Sequence, residues 1–159
     1  MEFGTRYACL ESMADVHSAA TRSYNMSRIK GKDTKPELVV RRYLHGQGFR
    51  FRLHQKELPG KPDIVLPRYR TAVFVHGCFW HGHEGCRYFV TPKTRTDFWM
   101  NKIGRNVAND LKQHGELAAH GWRVITVWEC ELKAHARQET LASLVDNITG
   151  PPDSADLAT

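Results

Sequence analysis

Between positions 76 and 86 the chain reads His76-Gly-Cys78-Phe-Trp-His81-Gly-His83-Glu-Gly-Cys86, three imidazoles and two thiols within eleven residues. Such a run reads as a loop rather than as a strand or helix face, and one more thiol, Cys130, lies just past the strand-like run Arg-Val-Ile-Thr-Val-Trp at 123–128. Zn²⁺ takes thiolate and imidazole in tetrahedral geometry, so a Cys-x4-His-x2-Cys loop with one remote cysteine supplies four ligands and pins the loop to a sheet. The ligands read as Cys78, His83, Cys86 and Cys130. The Cys-x2-His spacing keeps an alternative open, in which His81 is the ligand and His83 is free. Taken singly, each cysteine reads as a small core hydrophobe and each histidine as a solvated loop residue. The density of the cluster is what favours metal.

The same cysteines speak against disulfides. Residues 1–12 (MEFGTRYACLES) read as a tag, with Glu2-Phe3 and Gly4-Thr5 resembling translated cloning sites ahead of Met13. Without Cys9, three cysteines remain, a poor number for pairing. No secretory pattern precedes Met13, so the expected compartment is the cytoplasm.

At 159 residues the chain fits one core, and no stretch approaches the ~18 apolar residues of a membrane span. Lys and Arg outnumber Asp and Glu by 23 to 17, a net charge of +6, which favours a polyanionic partner, nucleic acid first. Residues 13–32 read as a basic N-terminal arm with helical potential over 19–29. The domain proper spans 33–149, and 150–159 reads as a frayed tail.

Within the domain, Thr34 offers an N-cap and Pro36 a first turn. Leu38, Val39, Val40, Tyr43 and Leu44 form the buried face of a helix that Gly46 and Gly48 stop. Residues 49–54 alternate apolar and basic, as a half-buried strand does. The runs 63–66 and 71–75 form a hairpin of interior strands across Pro67-Arg68-Tyr69-Arg70. Residues 98–120 form a long helical region, interrupted near Gly104 and Gly115 and ended by Gly121. A strand at 123–128 and an amphipathic helix carrying Leu141, Leu144, Val145 and Ile148 complete an α/β fold, a mixed sheet flanked by helices.

Pro62-Asp63 opens one strand of the hairpin, and its partner ends at Val75-His76 beside the metal loop. A carboxylate at such a mouth can hold Mg²⁺ against a phosphodiester, because Mg²⁺ prefers hard oxygen ligands and keeps several waters. Glu37, in the first turn of the early helix, either supports that site or simply complements the helix dipole. His76 and His81 are in excess of one closed zinc site, and imidazole exchanges protons near neutral pH. Lys102 and Asn106 lie one helical turn apart. Arg22, Arg28, Lys30, Lys32, Lys35, Arg41, Arg42, Arg50, Arg52, Lys56 and Lys61 form a phosphate track, some of them ordinary surface charge.

Pro62-Asp63 followed by a strand resembles the PD-(D/E)xK nucleases, with Phe74-Val75-His76 where that superfamily has Glu-x-Lys. Together with HGCFWHGHEGC, TRTDFW at 94–99, GWRVITVWEC at 121–130 and the opening MADVH at 13–17, the chain resembles the very short patch repair (Vsr) mismatch endonucleases over 13–144. The resemblance implies a restriction-endonuclease-like fold with a structural zinc site. It implies a bacterial enzyme, cytoplasmic and active on the nucleoid, that nicks double-stranded DNA 5′ of the thymine in T:G mismatches left by deamination of 5-methylcytosine. Asp63 and the backbone carbonyl of Val75 would hold Mg²⁺, and His81 would be the general acid or base, supported by His76 and Glu37. Structural Zn²⁺ would sit on Cys78, His83, Cys86 and Cys130. Phe79 and Trp80 would intercalate, with Met26 entering from the other side, and Lys102 and Asn106 would contact the mismatched bases. A monomer coupled to mismatch-repair proteins and a repair polymerase completes the picture. Two rivals stand beside it: a nuclease of the same fold with a junction or restriction target, and a zinc-stabilised DNA-binding module without catalysis.

Overall fold

The computed structural model describes residues 31–151, preceded by Ser18, Ala20, Thr21 and Tyr24. The chain divides into two units, 1–30 and 31–159. In the first, Ala20, Thr21 and Tyr24 are helical, and the Thr21 N–H donates to Ser18 Oγ at 3.1 Å. Met26, Arg22, Arg28 and Lys30 lie outside the described residues.

The second unit begins with α1 (Lys35–Gly46). Its N-cap is Thr34, as the sequence predicts, and Glu37 completes a capping box: Thr34 Oγ1 accepts the Glu37 N–H while Glu37 Oε1 accepts the Thr34 N–H. Four strands follow in the spatial order β1 (Arg52–Leu53), β2 (Ile64–Leu66), β3 (Thr71–His76), β4 (Arg123–Trp128). β1, β2 and β3 pair antiparallel and β3 pairs parallel with β4, so the sheet is mixed. A one-turn 3₁₀ segment (Pro67–Tyr69) closes the β2–β3 hairpin with Arg70 in the left-handed region. The crossover from β3 to β4 is the histidine- and cysteine-rich loop plus α2 (Thr96–Ala119), and α3 (Arg137–Thr149) ends the unit.

Both faces of the sheet are covered, which is why β2 and β3 are unbroken apolar runs rather than alternating ones. On one side Ile64, Leu66, Val73 and Val127 pack with Val40 and Leu44 of α1 and Leu141, Leu144 and Ile148 of α3. On the other, Ala72 and Phe74 pack against Leu117 of α2. Arg123 in β4 donates to the carbonyls of Asn147, Ile148 and Gly150, which places its cation at the C-terminal end of α3 where the helix dipole favours it. Among the described residues no helix is long and apolar enough to cross a membrane.

Two sequence expectations need correction. The strand expected over 49–54 shrinks to Arg52–Leu53, with Leu53 43% exposed at the sheet edge. His54 adopts φ +46°, which ends the pairing, and β2 offers β1 only Ile64 and Val65 as partners. The long helix is not interrupted: α2 runs through Gly104 and Gly115, both facing open space. A helical glycine costs about 1 kcal/mol relative to alanine, too little to break a helix held down by Ile103 and Leu117.

Candidate metal centre and nuclease site

The β3–β4 register builds the first site. His76 is paired with Trp128 on the adjacent parallel strand. Cys78 and Cys130 each lie two residues beyond that pair, so two chains leaving the sheet side by side, ~4.8 Å apart, bring the remote cysteine to the loop. The loop then turns back through the His83 N–H to the Cys78 carbonyl at 3.0 Å and the Cys86 N–H to the His83 carbonyl at 3.3 Å. Gly82 makes the crossing over α2 possible. It has φ +60°, and a Cβ there would lie 3.0 Å from Val107 and 3.1 Å from Ile103.

As a result Cys78, His83, Cys86 and Cys130 present ligand atoms all within 4.8 Å of one another. The His83 ring stacks on Trp128 at 4.0 Å, which fixes its orientation, and its Nδ1 is 3.4 Å from Cys130 Sγ. Burial, and then the two sulfurs beside it, push the Cys130 thiol up to about 12, a crowding that a bound cation relieves. Three sulfurs and one imidazole are a donor set able to hold a metal ion. His81 is turned elsewhere: its Nδ1 lies 2.6 Å from Asp110 Oδ2 on α2.

The second site lies at the same end of the sheet. Asp63 Oδ2 accepts the Val75 N–H at 2.8 Å, so the carboxylate that precedes β2 is pinned to the penultimate residue of β3. Burial pushes its pKa up to about 6, against the Val75 hydrogen bond and with the help of the Glu37 charge. His76 is 5% exposed and stacks on His81 with ring centroids 3.7 Å apart and planes 8° apart. Burial, then the neighbouring imidazoles His81 and His114, push His76 down to about 3. It is a neutral ring at physiological pH. His114 lies beyond it, 5.8 Å centroid to centroid.

Glu37 is only 3% exposed, and its role is more than dipole compensation. Its Oε2 accepts from the Asp33 N–H at 3.0 Å and from Arg41 at 2.6 Å. Arg41, expected on the phosphate track, is buried and spent inside the protein. Lys32, Lys35, Arg42, Arg50, Arg52, Lys56 and Lys61 are exposed, as a phosphate track requires.

The third feature is aromatic. Phe79 and Trp80 meet edge to face at 5.2 Å, and Trp99 of α2 packs on them at 5.6 and 6.0 Å. All three are half-buried. Lys102 Nζ sits over both indoles, 5.3 Å from Trp80 and 5.7 Å from Trp99. Asn106 Nδ2 donates to the Trp80 carbonyl at 2.9 Å, so at least one of its amide hydrogens holds the loop.

Sequence reasoning missed Asp110, Trp99, His54 and the internal role of Arg41. For Asp110 a signal existed: on α2 the apolar stripe of Ile103, Val107 and Leu117 is broken by Asn106, Asp110 and His114, each four residues from the last. Polar residues recurring on the face turned to the sheet are there for something other than packing.

A domain that gathers a half-buried carboxylate, a carboxylate-anchored histidine and a four-donor cluster able to hold a metal at one end of a mixed sheet has the parts of a metal-assisted hydrolase. Comparison with known proteins makes the class specific. The family model of DNA mismatch endonuclease Vsr matches residues 14–87. The chain is 54% identical over 120 residues to the type II nicking enzyme V.XorIIP of Xanthomonas oryzae pv. oryzae, covering 76% of this chain and 88% of that one. It is 50% identical over 137 residues to V.NmeAIP of Neisseria meningitidis, covering 86% and 97%. It is 45% identical over 150 residues to DNA mismatch endonuclease Vsr of Escherichia coli K12, covering 92% and 96%. The chain belongs to the Vsr family of DNA mismatch endonucleases.

Proposed function

We propose that this protein is a Mg²⁺-dependent, strand-specific endonuclease of restriction-endonuclease-like fold that nicks duplex DNA 5′ of the thymine in T:G mismatches. The observation that carries the reading is that two preorganised groups stand at the same end of β3 as the cysteine cluster: Asp63, pinned by the Val75 N–H, and His81, pinned by Asp110 and stacked on His76.

Asp63 suits a hard divalent cation. Its carboxylate is largely withdrawn from water and costly to ionise, so it gains from a positive charge, and the carbonyl of Val75, the residue whose N–H it accepts, is a second oxygen on the neighbouring strand. Bound there, Mg²⁺ supplies charge neutralisation on the scissile phosphate and an activated water. Asp110 accepts the hydrogen on His81 Nδ1, which leaves Nε2 as the atom that exchanges a proton with the reacting oxygens. His76, neutral and stacked against the His81 face, fixes that ring in place and keeps water from it. Glu37 supports the carboxylate site from α1.

Zn²⁺ fits the Cys78, His83, Cys86 and Cys130 set, where three thiolates and an imidazole form a closed structural site. By that anchoring, Phe79, Trp80 and Trp99 become a rigid wedge. A T:G wobble pair stacks less well than a matched pair, so the wedge opens the adjacent step there at least cost. Met26 enters from the arm, and Lys102 and Asn106 approach the mismatched bases. The enzyme works as a cytoplasmic monomer on the nucleoid and hands its nick to mismatch-repair proteins and a repair polymerase.

The test is a panel of end-labelled duplexes carrying T:G, other mismatches, matched pairs and four-way junctions, with Mg²⁺. Nicking 5′ of the mismatched thymine, weak on every other substrate and absent in Asp63→Ala, is the expected result. Equal cutting of matched DNA or junctions points to the same-fold rival, and tight binding without cleavage to a non-catalytic module.

A further inference from the structure

The first helix holds a buried cation that the proposed chemistry leaves unused. Arg41 is 8% exposed. Its Nη1 donates to Asp33 Oδ1 at 2.6 Å, and its Nη2 to Glu37 Oε2 at 2.6 Å and to His54 Nε2 at 2.8 Å. A guanidinium has donors only, so His54 accepts at Nε2 and carries its hydrogen on Nδ1. That Nδ1 faces Asp63 Oδ1 at 3.9 Å. The fork therefore grips Glu37 directly and reaches the side of Asp63 through one imidazole.

Asp33, Glu37 and His54 present ligand atoms within 4.8 Å of one another, the arrangement of a small metal site. The guanidinium is bonded to all three, so it stands where a cation would. Unlike an ion, it is covalently held, charged at every physiological pH and directional. Taking the Glu37 carboxylate out of water calls for such a hydrogen-bonding partner.

We propose that Arg41 is a positioning residue of the nuclease site, a built-in cation that holds Glu37 in a fixed orientation and, through His54, braces Asp63 on the side away from Val75. It acts through carboxylates and not through DNA, in contrast to the exposed lysines and arginines around it. The inference rests on the reading of Asp63 as the metal carboxylate and of Glu37 as its support.

A double-mutant cycle tests it, with kcat, KM and duplex affinity measured on T:G DNA for Arg41→Met, Glu37→Gln and the pair. Each single variant should lower kcat by roughly 10–100-fold, the usual loss when a group that orients a metal carboxylate is removed. KM and the salt dependence of binding should stay at wild-type values. The double variant should fall below Glu37→Gln by clearly less than the full Arg41→Met loss, since only the His54 route to Asp63 is left for Arg41 to brace once the Glu37 carboxylate is gone. Arg41→Lys, which keeps the charge without the fork, should fall between wild type and Arg41→Met, and it carries the cycle if Arg41→Met does not fold.

Multiplicative losses in the double variant, wild-type kcat in either single variant, or a salt slope for Arg41→Met flatter by about 0.9 all overturn the proposal, the last by making Arg41 a phosphate contact. Failure of the underlying reading looks different: wild-type protein then shows no Mg²⁺-dependent nicking of T:G at all.

Discussion

Replacing Asp63 with Asn should kill nicking and at the same time make the metal-free site more stable. The carboxylate is held in a half-buried place whose desolvation raises its pKa from an ordinary 3.8 to about 6. At about 1.4 kcal/mol per tenfold change in proton affinity, keeping it ionised costs the folded protein about 3 kcal/mol at pH 8. An amide has the same shape, its oxygen still accepts the Val75 N–H, and it carries no charge to desolvate. Allowing for the amide's own burial, Asp63→Asn should gain about 1–3 kcal/mol, which for a chain of this size is a rise in Tm of about 3–10 °C. The sign with pH follows from the raised value. The wild-type carboxyl is protonated and harmless below about 4, and its penalty develops as pH rises from about 4 to about 6 and is complete above that. The advantage of Asn should thus be full at pH 8 and shrink between pH 6 and 4. His76 works in the opposite sense, losing stability as pH falls from about 6.5 toward 3, but it is common to both proteins and cancels in the difference. Scanning calorimetry of zinc-loaded protein without Mg²⁺, at several pH values, measures the gap. Adding Mg²⁺ should narrow it by stabilising wild type alone. A variant that melts at or below wild type at pH 8, or a gap that does not change with pH, refutes the reasoning.

Three further outcomes are expected. His81→Ala should lower kcat by roughly 10²–10⁴-fold and Asp110→Asn by less, both with zinc retained; stoichiometric zinc loss in His81→Ala, read by metal analysis, would instead make His81 the ligand. Cys130→Ser should lower both zinc content and Tm, because binding free energy at a structural site is folding free energy, and activity should fall only as folding does. A well-folded, zinc-replete variant would return Cys130 to the core. Replacing Phe79 and Trp80 together by Ala should weaken T:G binding by about 1–3 kcal/mol per lost stack, and matched duplex less. Equal losses on both duplexes, in titrations at several salt concentrations, would reject the wedge.

The sequence by itself determined what depends on near neighbours. Thr34, Pro36 and Glu37 lie within one helical turn of each other, so the start of α1 is written locally. The unbroken apolar runs of β2 and β3 announced strands buried on both faces. The grouping of Cys78, His83 and Cys86 followed from loop spacing, and Cys130 from its position after a strand. What only the tertiary structure decided are pairings between distant segments. His81 meets Asp110 across 29 residues, Arg41 meets His54 across 13, and Asp63 meets Val75 across 12. No periodicity records such distances. Whether Arg41 faces solvent or a carboxylate depends on how α1 is rotated against the sheet, and the same uncertainty hid Trp99 behind a plausible helix surface. Helix continuity through Gly104 and Gly115 was likewise a tertiary outcome, because a local cost of about 1 kcal/mol per glycine yields to the burial of Ile103 and Leu117 elsewhere along the same helix.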